Sequence, residues 1–97
     1  MAIIIDHQAA NKASALSDEE LSMVRDYKTY CHDKAFRRTL LIIDWEPFSE
    51  SGRVLKDRAR KWVVKSGRDF TIFTGSSTLQ GAIKAARRIH AERWPHA

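Results

Sequence analysis

The sequence predicts a small α/β domain in which a three-stranded sheet is covered by three helices, in the order strand, helix, strand, helix, strand, helix. Three observations carry that expectation. Two short apolar runs, "IIID" at Ile3–Asp6 and "TLLIID" at Thr39–Asp44, are dominated by β-branched residues and leucine and each ends in Asp. Runs of that kind suit strands buried on both faces of a parallel sheet. A third run, "DFTIFT" at Asp69–Thr74, leads into a long stretch whose apolar residues recur at helical spacing. The segment "LSDEEL" at Leu16–Leu21 carries the signals of a helix start: Ser17 can cap, Glu20 three residues on closes the box, and Leu16 can staple Leu21.

After the first strand, residues 7–16 are polar and small and read as a loop. The first helix is expected from about Asp18 to His32, with Leu21, Val24, Lys28 and Cys31 along one stripe. "EPFSESG" after the second strand holds Pro47, two serines and Gly52, so the chain turns there. Residues 53–65 read best as a second helix, capped by Ser51 and ended by Gly67, with Leu55, Ala59, Trp62 and Val63 on one face. At period two the same region reads differently. "WVVKSGRDFTIF" then becomes a hairpin turning through Ser66 and Gly67, and the domain becomes an α+β two-layer fold with a C-terminal β-hairpin followed by a helix. Under either reading a final helix runs from about Leu79 to Arg93, with Leu79, Ala82, Ile83, Ala86 and Ile89 inward. Residues 95–97 are expected as a frayed tail.

Ninety-seven residues suit a single domain, 1–97, with one modest core. Hydrophobic residues at 43% and charged residues at 30% match a soluble globular protein rather than a disordered or membrane chain. The longest apolar run, "LLII", is too short to cross a bilayer, so no membrane partner is expected. The start "MAIIIDHQ" lacks the features of a secretory leader, and the single Cys31 agrees with a reducing compartment. A cytoplasmic location is the expectation.

Charge points toward a partner. Residues 1–52 hold six Lys/Arg against nine Asp/Glu, whereas residues 53–97 hold eleven against three. A basic half of this kind fits an anionic partner, either nucleic acid or an acidic protein surface. The candidate anion-binding residues are Arg53, Lys56, Arg60 and Lys61, projecting from the second helix, together with Lys84, Arg87 and Arg88 on the outer face of the last. They merge into one patch if the two helices share a sheet face. A secondary anion site is the helix start at Gly75, Ser76 and Ser77, although Ser77 with Gln80 is also a plain capping box.

Two other functional classes are open. Trp45, Pro47 and Phe48 follow a strand and form a candidate interface for a protein-interaction or inhibitor module, or for a homodimer. Asp6 and Asp44 end predicted parallel strands, where a divalent ion shared by two carboxylates could assist phosphoester hydrolysis, as in a metal-dependent phosphoesterase or nuclease. An Asp at that position also simply begins a turn. His7, His32, His90 and His96 lack the spacing of a helical metal pair, and His90 reads as a core histidine held by one hydrogen bond. No nucleophile motif, metal-ligand spacing or cofactor fingerprint is present, so no cofactor is expected and a binding role is favoured over catalysis.

Overall fold

The computed structural model describes residues 2–30, 37–48 and 59–96. They form β1 (Ile3–Asp6), α1 (His7–Ala10), α2 (Asp18–Met23), β2 (Val24–Arg25), α3 (Tyr27–Tyr30), β3 (Leu41–Pro47), β4 (Arg60–Ser66), β5 (Ile72–Ser76) and α4 (Leu79–Arg93). The strands make one sheet in the order β2-β1-β3-β4-β5. β1 pairs in parallel with both β2 and β3, while β3, β4 and β5 pair antiparallel. The domain is therefore mixed α/β, with a five-stranded sheet where the sequence predicts three strands.

The additional strands arise where the helical reading fails. In β4, Trp62 and Val64 point to one face of the sheet and Val63 to the other, and all three are buried. A strand covered on both faces has apolar residues at both parities, so three in a row fit a helical arc and a strand equally well. Over residues 60–65 the expected helix is thus corrected to a strand, Arg60–Ser66, and the hairpin alternative describes β4, β5 and the helix that follows; residues 53–58 of the expected helix lie outside the described ones. Ser51, Arg53, Leu55 and Lys56 lie outside the described residues.

The second correction concerns α2, which ends at Met23 instead of reaching His32. Its start is as expected: Glu20 N–H donates to Ser17 Oγ at 3.1 Å and Ser17 N–H donates to Glu20 Oε1 at 2.7 Å. After one and a half turns Val24 takes extended backbone and pairs with Ile5. Glu20 and Met23 are the buried positions, and Leu21 is exposed. Cys31 and His32 lie outside the described residues. Residues 7–16, expected as a loop, open with the single turn α1, capped by the Asp6 carboxylate accepting from Gln8 N–H at 3.2 Å.

Helices cover the sheet unequally. Ala9 and Ala10 of α1, Met23 of α2 and the apolar stripe of α4 pack with Ile5, Leu41, Ile43, Trp62 and Val64. On the opposite face Ile4, Leu40 and Ile42 pack with Tyr27 of α3. The chain leaves β1 for β2 and then returns past β1 to β3, a reversal for which right-handed crossovers put the connecting helices on opposite faces.

α4 buries the five residues expected of it, Leu79, Ala82, Ile83, Ala86 and Ile89. Its cap is Thr78, one residue later than the Ser77 expected, and Thr78 Oγ1 accepts from Gly81 N–H at 3.0 Å. Gln80 is released to donate to Glu20 Oε2 at 2.8 Å, tying α4 to α2. Thr78→Ala should lower the unfolding free energy by about 1 kcal/mol, the usual cost of an N-cap oxygen, as read from urea denaturation.

Candidate anion site

A cleft of about 320 Å³ lined by three arginines lies at the end of the sheet where β3 begins and β4 and α4 finish. Arg38 comes from the segment before β3, Arg68 from the β4–β5 turn and Arg93 from the last turn of α4; Phe73 and Trp94 form aromatic walls. The turn brings the first two together. Gly67 N–H donates to Leu40 O at 2.8 Å, and a Cβ on Gly67 would lie 2.9 Å from the Leu40 Cβ, so only glycine lets the turn sit this close to the start of β3. Phe70 N–H and Ser66 O close the turn at 2.9 Å, with Phe70 in the left-handed region at φ 63°.

The cleft's one carboxylate is engaged in holding the turn. Asp69 accepts from Thr71 N–H at 3.1 Å, and that bond is the main reason its carboxyl is held below the ordinary value. Ser66 Oγ accepts from Arg68 N–H at 3.1 Å. Among the described residues, none of the guanidiniums of Arg38, Arg68 and Arg93 forms an ion pair. Arg93 instead lies over the Phe73 ring, 4.3 Å from its centroid. Part of Arg93's placement follows from the helix itself, since a cation is favoured at a helix C-terminus. Arg68 adds to the attraction that holds the Asp69 carboxyl down, and no such account covers Arg38.

A second depression, about 340 Å³, lies on the opposite face and takes in Asp6, Tyr27, Asp44, Lys65 and Phe70. The strand register joins Ile5 to Ile43, so Asp6 and Asp44 occupy the next, neighbouring positions at the carboxyl ends of adjacent parallel strands. That is the β1/β3 crevice where a 2-1-3 strand order places ligands in open α/β sheets. Its charges, however, are balanced from within. Lys65 Nζ donates to Asp44 Oδ2 at 2.8 Å and to Glu46 Oε1 at 2.7 Å, and it sits 5.3 Å from the Phe70 centroid. Burial is the largest influence on both Asp44 and Lys65 and opposes their charges. Mutual attraction and hydrogen bonding outweigh it, so the Asp44 carboxyl is held below its ordinary value and the Lys65 ammonium above. His7 Nδ1 stands 3.9 Å from Asp6 and 3.8 Å from Asp26. Among the described residues no three His, Cys, Asp or Glu side chains converge to hold a metal ion.

The remaining sequence candidates are dispersed. Arg60 is exposed and donates to Trp45 O at 3.1 Å. Lys61 alternates with Trp62 and so lies on the face away from α4. Lys84, Arg87 and Arg88 are exposed on α4, with Arg87 paired to Glu19 and Arg88 lying 3.9 Å from Glu92. Lys61 and the α4 cations therefore do not form one patch; Arg53 and Lys56 lie outside the described residues. Gly75 and Ser76 belong to β5, and Ser76 Oγ accepts from Thr78 N–H at 3.2 Å. Trp45 packs on Trp62 with centroids 4.9 Å apart. Phe48 lies over Gly75, where a Cβ would come within 2.4 Å of its ring, and Pro47 is exposed. His90 is half-buried against Trp94, and its Nε2 has no hydrogen-bond partner among the described residues, so the expected core hydrogen bond is not formed there.

Sequence reasoning missed Arg38 and left Arg68 and Arg93 as general basicity. The hairpin reading held the signal. A turn at Ser66–Arg68 packed against the start of the "TLLIID" strand places Arg68 beside the arginine that precedes it. Comparison with protein-family models, curated proteins and solved structures gives no match to this chain.

Proposed function

We propose that this domain is a small non-enzymatic binding module for an anionic partner, nucleic acid or an acidic protein surface, and that its anchor is the cleft of Arg38, Arg68 and Arg93. The observation that carries this reading is three guanidiniums from separate parts of the chain gathered in one cleft whose single carboxylate, Asp69, forms no ion pair with them among the described residues. Guanidiniums match phosphate and carboxylate oxygens bidentately, and gathering like charges is costly unless something offsets it. Binding of a labelled oligonucleotide at low and at moderate salt tests it. Affinity should fall steeply as salt rises, because neutralised phosphates release counterions. An absence of binding at low salt to both an oligonucleotide and an acidic polypeptide would contradict the reading.

A second reading, metal-dependent phosphoester hydrolysis at Asp6 and Asp44, is favoured by the strand register alone. The residues do not fit a resident divalent ion, because the Lys65 ammonium already fills the cationic position beside Asp44 and Glu46. Added Mg²⁺ is accordingly expected to leave the melting temperature unchanged. A Mg²⁺-dependent rise that disappears in Asp44→Asn would revive the hydrolytic reading. The Trp45 to Phe48 surface is less suited to docking, since two of its three rings or side chains are engaged with Trp62 and Gly75.

A further inference from the structure

We infer that the anion taken by the arginine cleft is a single-stranded nucleic acid, with a phosphate held by Arg38 and Arg68 and a base lying against the aromatic wall at Trp94. The inference rests on the anion-binding reading and adds the chemical class of the partner. The cleft's size, about 320 Å³, is close to that of the other surface depressions and does not choose between partners.

Its walls decide more. Phe73, with the Arg93 guanidinium 4.3 Å from its centroid, and Trp94 give the cleft aromatic surfaces. Unpaired bases use such surfaces by stacking on aromatic rings and on guanidinium planes. The carboxylates of an acidic protein would use the arginines and make no use of the aromatic walls. Duplex nucleic acid fits less well again. α4 has no free row of cations to follow a backbone, since Arg87 and Arg88 face Glu19 and Glu92.

Fluorescence anisotropy on the full chain tests this with four probes at one low salt concentration: a short oligothymidylate, a duplex of the same length, a strand of the same length lacking bases, and polyglutamate. The oligothymidylate should bind tightest, and the strand without bases should bind about tenfold more weakly, since stacking one base contributes on that order. Trp94→Leu should lose a similar factor for oligothymidylate and little for the strand without bases, while Trp94→Phe keeps most of the affinity. Because the contrast between the two strands is read on the unaltered chain, it does not depend on how well the Trp94 variants fold. Equal affinity for oligothymidylate and the strand without bases, or polyglutamate or duplex binding as tightly as the single strand, overturns the single-strand inference and leaves the anion cleft standing. No binding of any probe overturns both.

Discussion

Lys65→Met is expected to lower the unfolding free energy by about 2–3 kcal/mol, which for a domain of this size corresponds to a fall of about 10–20 °C in melting temperature. The Lys65 side chain is only 11% exposed, and the two carboxylates it bridges, Asp44 and Glu46, are 24% and 32% exposed. Removing the ammonium leaves two like charges close together with little water to screen them. The loss stays below the roughly 3–5 kcal/mol of a fully buried pair because the carboxylates keep some solvent. Neutralising all three groups, with Asp44→Asn and Glu46→Gln added to Lys65→Met, should recover much of the stability. Recovery separates the ionic explanation from loss of the Lys65 ammonium's contact with the Phe70 ring, which the triple variant would not restore.

The same cluster sets a pH dependence. Asp44 ionises below its ordinary value in the folded chain, so its stabilisation is present above the unfolded pKa and is lost as pH falls through the lower folded value. Glu20 acts in the same direction, held down chiefly by the Ser17 N–H. Lys65 is shifted upward, so its contribution is present below its unfolded pKa and is lost as pH climbs through the raised folded one. Stability should therefore run flat between these limits and fall at both ends. In Lys65→Met the alkaline fall should shrink, as measured by urea midpoints across pH.

The second large effect is on binding. Arg38→Glu together with Arg68→Glu should reduce affinity for an oligonucleotide at least about 100-fold, because a hydrogen bond to a charged group contributes about 1.5–3 kcal/mol and two such groups are lost. Both residues are exposed and neither caps a helix, so stability should change by no more than about 0.5 kcal/mol. Arg60→Glu with Arg87→Glu changes net charge equally but leaves the cleft intact. That pair should lose less than about tenfold, through long-range attraction alone. Equal losses in the two double variants would mean that diffuse basicity, rather than the cleft, holds the anion.

Most of what was legible in the sequence is local. The Ser17 capping box and the inward stripe of α4 depend on residues within a turn of one another, and both stand as expected. The strand runs at Ile3–Asp6 and Leu41–Asp44 were visible because β-branched apolar runs need no distant partner to be recognised. What failed depended on pairing across the chain. Trp62, Val63 and Val64 are a strand because β3 and β5 lie on either side, and Val24 leaves its helix because Ile5 offers a partner. The candidate sites followed the same rule. Asp6 and Asp44 were singled out from their place at strand ends and do become neighbours. The arginine cleft joins positions 38, 68 and 93, and no sequence period links them; the turn at Gly67 against Leu40 joins the first two, and the end of α4 supplies the third.

The most direct test of the anion cleft is a residue-resolved NMR titration of the ¹⁵N-labelled chain with a short oligothymidylate at low salt. The cleft predicts saturable shifts centred on the backbone amides of Arg38, Ser66 to Thr71, Arg93 and Trp94, with the Arg38→Glu/Arg68→Glu variant showing none of them. Shifts centred instead on Lys84, Arg87 and Arg88, or on Asp6 and Asp44, with the cleft amides unmoved, would contradict it.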